Sequence, residues 1–142
     1  MSENYFESKK SKDKVEFMLG EYDCPDLLKE QSDAKALDEF IDDYNWGDGL
    51  EIPYFILRHR NCELGTALKI FYSGEGALML EENYKNYQLG HWVEFAEYTF
   101  KRIVERNYSS KLIAFKFPLK EDFKRSIKEA GWPDIFIENI VV

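Results

Sequence analysis

The sequence predicts a mainly α-helical protein, a compact single-domain array of about five or six helices with at most a marginal β element. Three observations support this prediction. Apolar residues recur at helical spacing in several segments, and the connections between these segments are short. Residues 111–117 alternate weakly between apolar and polar, in the way that a strand or an extended edge does, and the short apolar run 15–19 is either a strand or a packed extension, so any sheet would be minimal.

The composition is that of a chain that can bury its own core. Of its 142 residues, 44% are hydrophobic and 16% are aromatic. We expect a loose, polar N-terminal arm over residues 1–20 and a single helical domain over residues 21–142. No apolar leader and no stretch of transmembrane length are present, and the two cysteines belong to no paired motif. These features favour a cytoplasmic protein with free thiols.

The first helix is predicted from Asp26, as N-cap, to Tyr44. Its buried stripe consists of residues at helical spacing, which are Leu37, Phe40, Ile41 and Tyr44. A turn with two glycines follows, in which Trp46 is expected to anchor the chain in the core. Asp48 and Glu51 have the spacing of a capping box for a second helix over residues 50–59.

Four further helices are predicted along the rest of the chain, over residues 63–72, 77–84, 91–108 and 120–130. In the segment 91–108 one face is apolar, and it consists of Trp92, Phe95, Ala96, Thr99, Ile103 and Val104. The polar face of the same segment balances its acids against lysine and arginine. The apolar tail 134–142 is expected to dock on the core.

The negative charge of the chain is concentrated in one segment. Residues 21–51 hold eleven Asp and Glu and only two Lys, whereas the whole chain has a net charge of −8. This balance argues against nucleic acid and against an anionic membrane surface as partners. A concentrated negative field steers a basic partner toward the segment that carries it.

The predicted first helix also breaks local electrostatic rules. Asp38 and Asp42, like Glu39 and Asp43, are like charges at i and i+4, which repel. The last turn of a helix disfavours acids as well, because the helix dipole is negative there. Repeated violation of a local rule suggests a functional surface, and a plain solvated helix face is the alternative. The candidate partner-binding residues are Asp38, Glu39, Asp42, Asp43, Asp48 and Glu51.

A second constellation surrounds His59 and Cys62, which are three residues apart and have Asp48 and Glu63 within reach in the sequence. A zinc site needs about four ligands in a recognisable pattern, and this set does not supply one. The alternative is a helix boundary, with His59 near a helix C-terminus and Cys62 buried. We therefore predict no catalytic residue, no metal ligand and no cofactor, and expect that the chain is not an enzyme.

Residues 44–72 read YNWGDGLEIPYFILRHRNCELGTALKIFY. This stretch resembles a bacterial family known as domain of unknown function 4274. The resemblance lies in a Tyr-Asn-Trp-x-Asp-Gly turn, at 44–49, and in a His-x-x-Cys-Glu-Leu-Gly-Thr-Ala-Leu run, at 59–68. It covers most of the chain after about residue 35 and implies a small helical bacterial protein with no established reaction. Small acidic proteins of this kind resemble the immunity partners of bacterial toxins, which is an analogy of class.

The function predicted from these observations is that of a non-enzymatic cytosolic binding protein. Its most specific form is an immunity protein that neutralises a basic toxin domain through an acidic surface. One alternative is a metal-binding protein or enzyme that uses the region of Asp48, His59 and Cys62. A second alternative is a homodimeric scaffold or regulatory module, built on the aromatic residues between Tyr84 and Tyr98. The sequence does not specify the oligomeric state.

Overall fold

The computed structural model describes residues 34–86, 90–108 and 112–142. These residues contain five α-helices, which are α1 (Ala34–Asp42), α2 (Glu51–Arg58), α3 (Leu64–Ser73), α4 (Gly90–Glu105) and α5 (Glu121–Glu129). Four 3-10 turns lie between and after them, at Trp46–Asp48, Gly76–Leu80, Tyr84–Asn86 and Asp134–Phe136. The mainly α-helical prediction is confirmed. Within the described ranges, no helix has the length and apolar character needed to cross a membrane.

Helix α1 agrees with the predicted first helix over its described part. Leu37 and Ile41 are buried, and Phe40 and Tyr44 pack against the core, so the predicted stripe is confirmed. The expected N-cap Asp26, the N-terminal arm 1–20 and the rest of residues 1–33 lie outside the described residues.

Helix α2 begins differently from the prediction. Its N-cap is Leu50, and no side chain caps the helix. The predicted capping box is therefore wrong, because Asp48 belongs to the preceding 3-10 turn and Glu51 is already the first helical residue. Pro53 is accommodated in the first turn, where backbone N–H groups have no partner within the helix.

The predicted helix over residues 77–84 is replaced by two short 3-10 turns. After α3 the chain turns sharply, with Glu75 in the left-handed conformation at φ 64°. Gly76 lies directly on the Phe71 ring, where a Cβ atom would clash. The following residues 81–83 are exposed and polar, so no apolar stripe supports a longer helix.

Helix α4 presents its predicted apolar face to the core, and most of the residues named for that face are buried. Val104 is the exception, because it is 44% exposed, and its prediction as a core residue is wrong. Arg102 of α4 and Arg106, which follows this helix, reach the C-terminal end of α2. Arg102 donates to the carbonyl oxygens of Leu57 and Arg58, and Arg106 donates to those of Leu57, His59 and Arg60. These bonds satisfy carbonyl groups that a helix end leaves without partners.

The C-terminal third closes the core. Phe115 and Ile140 form an isolated antiparallel bridge, with N···O distances of 3.1 and 2.8 Å, which is the marginal β element expected from the sequence. The tail docks as predicted, because Phe136, Ile137 and Ile140 are buried.

Aromatic rings from three parts of the chain meet in the core. Phe136 stacks on Phe100 with 4.6 Å between the ring centroids, and it lies edge-on to Phe71 at 5.2 Å. Trp132 packs against the same rings. Helix α3 contacts α1, α2 and α4, and its residues Ala67, Leu68 and Ile70 are fully buried. The position of α1 is therefore set by α3.

Candidate protein-binding surface

Helix α1 is held against α3 by a polar contact. The Thr66 hydroxyl donates to one oxygen of the Asp38 carboxylate at 2.7 Å, and the Lys69 ammonium group donates to the other at 2.7 Å. Asp38 is only 7% exposed and Thr66 is fully buried. The sequence analysis placed Asp38 on the exposed face of the helix, and that placement is wrong. Its side chain faces α3 because two polar groups of α3 satisfy it there.

Lys69 also relieves the repulsion expected between Asp38 and Asp42. Its ammonium group lies 3.3 Å from a carboxylate oxygen of Asp42, so one cation lies between the two acids. Burial alone would lower the pKa of Lys69, but the hydrogen bond and charge of Asp38, reinforced by Asp42, raise it above its ordinary value. The presence of these two like charges one turn apart in α1 is thus explained by a cation of α3.

The other candidate carboxylates remain on the surface. Glu39, Asp42, Asp43 and Asp48 are exposed, and we call these four residues the acidic face. Glu51 is half-buried at the start of α2. Within the described ranges, no hydrogen bond or ion pair of the Glu39 or Asp43 side chain is formed.

The turn after α1 is held by two side-chain hydrogen bonds and carries two aromatic rings. Asn45 accepts a hydrogen bond from the backbone N–H of Gly47, and the Tyr44 hydroxyl donates to the carbonyl oxygen of Gly49 at 2.6 Å. Gly49 has φ of 103°, a conformation that favours glycine. Trp46 lies edge-on to Tyr44, at 5.5 Å between centroids, and to Phe95 of the core, at 6.2 Å, so that the turn is anchored in the core as predicted.

The environment of Tyr44 shows how close the acids are to this turn. Burial raises the pKa of the Tyr44 phenol to about 12, and the charges of Asp48 and Glu51 add to the shift. Both acids are therefore near enough to the ring to affect its ionisation. Carboxylates and an aromatic ring share one small region of the surface.

A cleft of about 540 Å³ opens beside the acidic face, between the end of α1, helix α3 and residues 115–119. Its aromatic walls are formed by Tyr44, Trp46, Tyr72 and Phe115, and its charged groups are Asp42, Lys69 and Lys116. Tyr72 is fixed in place, because its hydroxyl donates to the carbonyl oxygen of Phe136 at 2.7 Å. The volume lies within the range of about 300–1,000 Å³ that is usual for binding sites. The cleft has room for an apolar or aromatic side chain of a partner.

The residues of the alternative metal or catalytic site are not brought together. Asp48 and His59 lie at opposite ends of α2, and His59 packs against Phe55. Cys62 is buried, and burial raises the pKa of its thiol to about 12. Such a thiol is a poor nucleophile. In the part of the chain that the structure describes, no group of three or more His, Cys, Asp or Glu residues is placed to hold a metal ion.

The aromatic residues proposed for a homodimer surface are engaged within the chain. The Trp92 indole donates to the carbonyl oxygen of Gly74 at 2.5 Å, and the Tyr84 hydroxyl donates to Glu97 at 2.6 Å. Tyr98 packs edge-on to Tyr54. Tyr87 lies outside the described residues.

Sequence reasoning missed the roles of Thr66 and Lys69, and it missed the cleft. One signal was present, since residues 66 and 69 are three apart and therefore share a helix face, as do Asp38 and Asp42.

Most residues of the run 59–68 are structural. Glu63 accepts a hydrogen bond from the Leu112 N–H at 2.9 Å, and a Cβ at Gly65 would lie 2.5 Å from the Ile113 carbonyl oxygen.

The fold and this surface define a small helical protein with an acidic face beside an aromatic cleft. Residues 32–109, more than half of the chain, match the family model described as Domain of unknown function (DUF4274). The chain belongs to this family, as the resemblance of residues 44–72 implied. No curated protein and no solved structure matches it.

Proposed function

We propose that the chain is a non-enzymatic cytoplasmic binding protein, and specifically an immunity protein that neutralises a basic toxin domain. The observation that carries this proposal is that the acidic face adjoins the aromatic cleft, since Asp42 of that face lines the cleft together with Tyr44 and Trp46. The exposed carboxylates attract a basic partner over a long range, and the neighbouring aromatic cleft can bind one of its side chains as an anchor.

The proposed mechanism is occlusion of the partner's active surface. Toxin domains that bind anionic substrates present Lys and Arg, and the acidic face would pair with these cations in the place of the substrate. An apolar or aromatic partner side chain would enter the cleft against Tyr44 and Trp46, where burial of aromatic surface gives most of the binding energy. Asp38 takes no part in this contact and instead keeps α1 in position.

The charge pattern at the end of α1 supports the same proposal. Glu39 and Asp43 are like charges at i and i+4, and Asp42 and Asp43 lie in and just after the last turn of α1, at the negative end of the helix dipole. Each effect costs only a few tenths of a kcal/mol, roughly. A cationic partner that binds here reduces these unfavourable charge interactions together, so the charge pattern of the free chain favours binding of such a partner.

A growth assay tests the immunity role. The product of the gene immediately upstream is induced in a naive bacterial host, with and without this chain. We expect growth arrest that the chain relieves. Arrest that persists in the presence of the folded chain would refute the immunity role against that neighbour.

Charge-reversal variants test whether the acidic face is the interface. In Asp43→Lys/Asp48→Lys, protection should be lost, and association with the purified partner should slow and depend less on salt. The matched control Glu105→Lys/Glu138→Lys makes the same change in net charge at two exposed positions away from the cleft. Equal protection by both double variants would show that the acidic face is not the interface.

A further inference from the structure

A second concave surface lies between the 3-10 turn Gly76–Leu80 and helix α5. This groove has a volume of about 450 Å³. Its apolar lining consists of Ala77, Leu78, Leu80, Leu119, Phe123 and Ala130. Helix α5 is largely polar, but its Phe123 is a large apolar residue that is 39% exposed. This ring is continuous with the half-buried Leu78, Leu80 and Leu119, and a contiguous apolar patch of this kind is typical of an interaction surface.

The charged residues of the groove are all acidic. Glu75, Glu81 and Glu129 line it, and no lysine or arginine is among its lining residues. The basic residues of α5 face elsewhere, because Lys124, Arg125 and Lys128 line a separate hollow of about 420 Å³. The groove therefore combines an apolar floor with a negative rim, and it complements a ligand that is apolar in its centre and cationic at its edges.

The groove adjoins the cleft described above, because Leu119 lines both. A partner that covers the acidic face can therefore extend over Leu119 into the groove without leaving the protein surface. Anionic membranes and nucleic acids are disfavoured as occupants, since the three glutamates repel them. An amphipathic peptide segment fits the open shape, because such a segment lays its apolar side chains into a groove and keeps its charges at the rim.

We propose that this groove binds a basic amphipathic segment of a protein partner. The proposal rests on the proposed function only in that the same partner would contact both surfaces. The apolar side chains of the segment pack against Phe123 and Leu80, and its lysines or arginines pair with Glu75 and Glu129. Surface pairs of this kind are individually weak, so the apolar contact supplies most of the affinity and the glutamates supply the selectivity for cations.

Glu75 offers a variant that separates binding from folding. Its left-handed backbone is strained in a residue with a Cβ atom and is natural for glycine. Glu75→Gly therefore removes a carboxylate from the rim and should give a melting temperature at least as high as that of the parent chain. Weaker binding by a variant of undiminished stability cannot result from unfolding.

The test uses the full chain and a fluorescent synthetic peptide of leucine and lysine with an amphipathic helical pattern. Fluorescence anisotropy should show saturable binding, and the same peptide with glutamate in place of lysine should bind at least tenfold more weakly. Glu75→Gly/Glu129→Gln should weaken binding at least fivefold, and Phe123→Ser should do the same. The matched control Glu105→Gln/Glu138→Gln, at two exposed positions that line neither the groove nor the cleft, should change binding less than twofold. Because no toxin is needed, failure here leaves the immunity proposal standing, and failure of the growth assay leaves this one standing.

Several results would overturn the proposal. The first is no binding, and the second is equal binding of the glutamate peptide. The third is weakening by the control variant Glu105→Gln/Glu138→Gln but not by the groove variant. Two other occupants are also distinguishable. Concentration-dependent dimerisation that Phe123→Ser abolishes would assign the groove to a second copy of the chain. Peptide binding that tightens tenfold when Lys9, Lys10, Lys12 and Lys14 are changed to Glu would assign it to the chain's own N-terminal lysines.

Discussion

Replacement of Asp38 by alanine tests the assignment of this acid to the fold rather than to a partner. The substitution removes the carboxylate that joins α1 to α3, and with it two hydrogen bonds of 2.7 Å. The Thr66 hydroxyl, which is fully buried, then has no acceptor at that position. Lys69 loses one of its two aspartates and keeps the other.

The expected destabilisation follows from these two losses. A buried hydroxyl left without its partner costs about 1–3 kcal/mol. The Lys69 side chain is 28% exposed, so it is rehydrated in part, and the loss of its ion pair adds only about 0.2–1 kcal/mol. We expect the free energy of unfolding to fall by about 2–3 kcal/mol, which lowers the melting temperature by roughly 6–9 °C for a chain of this size.

Urea titration followed by circular dichroism measures this change, with Asp43→Ala, just after the same helix, as the matched control. The control should remain within about 0.5 kcal/mol of the parent chain, because Asp43 is exposed. In a double-mutant cycle, Asp38→Ala and Thr66→Val should cost less together than the sum of the two single changes. If Asp38→Ala is no more harmful than Asp43→Ala, Asp38 does not hold α1, and the argument from its burial fails.

Three further predictions follow from other contacts. Arg106→Ala should lower the free energy of unfolding by about 1.5–3 kcal/mol in a urea titration, and Arg106→Lys should not restore it, because an ammonium group cannot bridge three carbonyl oxygens as the guanidinium does. In a Cys24→Ser background, the Cys62 thiol should react with a disulfide reagent only after denaturant is added, since burial raises its pKa to about 12; rapid reaction of the native chain would contradict the burial. Alkali should also destabilise the fold, because a raised phenol pKa stabilises the folded chain below the ordinary value of 10.0, and this stability is lost as the pH rises from there toward about 12. Phenolate absorbance should rise together with the loss of helical circular dichroism. If the buried phenols titrate near their ordinary pKa while the chain keeps its helical signal, this prediction is refuted. The residues concerned are Tyr44, Tyr54, Tyr72 and Tyr108.

The sequence predicted most accurately what local spacing determines. The apolar stripe of α4 was identified because its period is set within the helix itself, and only Val104, next to the last helical residue, lies outside the core. The segment 77–84 failed because its conformation depends on the Phe71 ring beneath Gly76, a contact that helical spacing does not encode.

The candidate site was predicted in part for the same reason. The acidic face follows from composition alone, whereas the burial of Asp38 depends on Thr66 and Lys69, which lie 28 and 31 residues further along the chain. No pattern within α1 distinguishes Asp38 from Asp42. The cleft was missed because its walls come from the end of α1, from α3 and from residues 115–119.

The match to the family ends at residue 109, but the packing does not end there. Phe71 and Phe100 lie inside the matched segment, and their rings pack on those of Trp132 and Phe136 beyond it. The Tyr72 hydroxyl, also inside the segment, donates a hydrogen bond to the carbonyl oxygen of Phe136. A shortened chain that stops at residue 109 would leave those rings facing water and remove the backbone that covers Gly65. We therefore expect that the segment shared with the family does not fold cooperatively by itself, and that residues 112–142 are needed to isolate a stable domain.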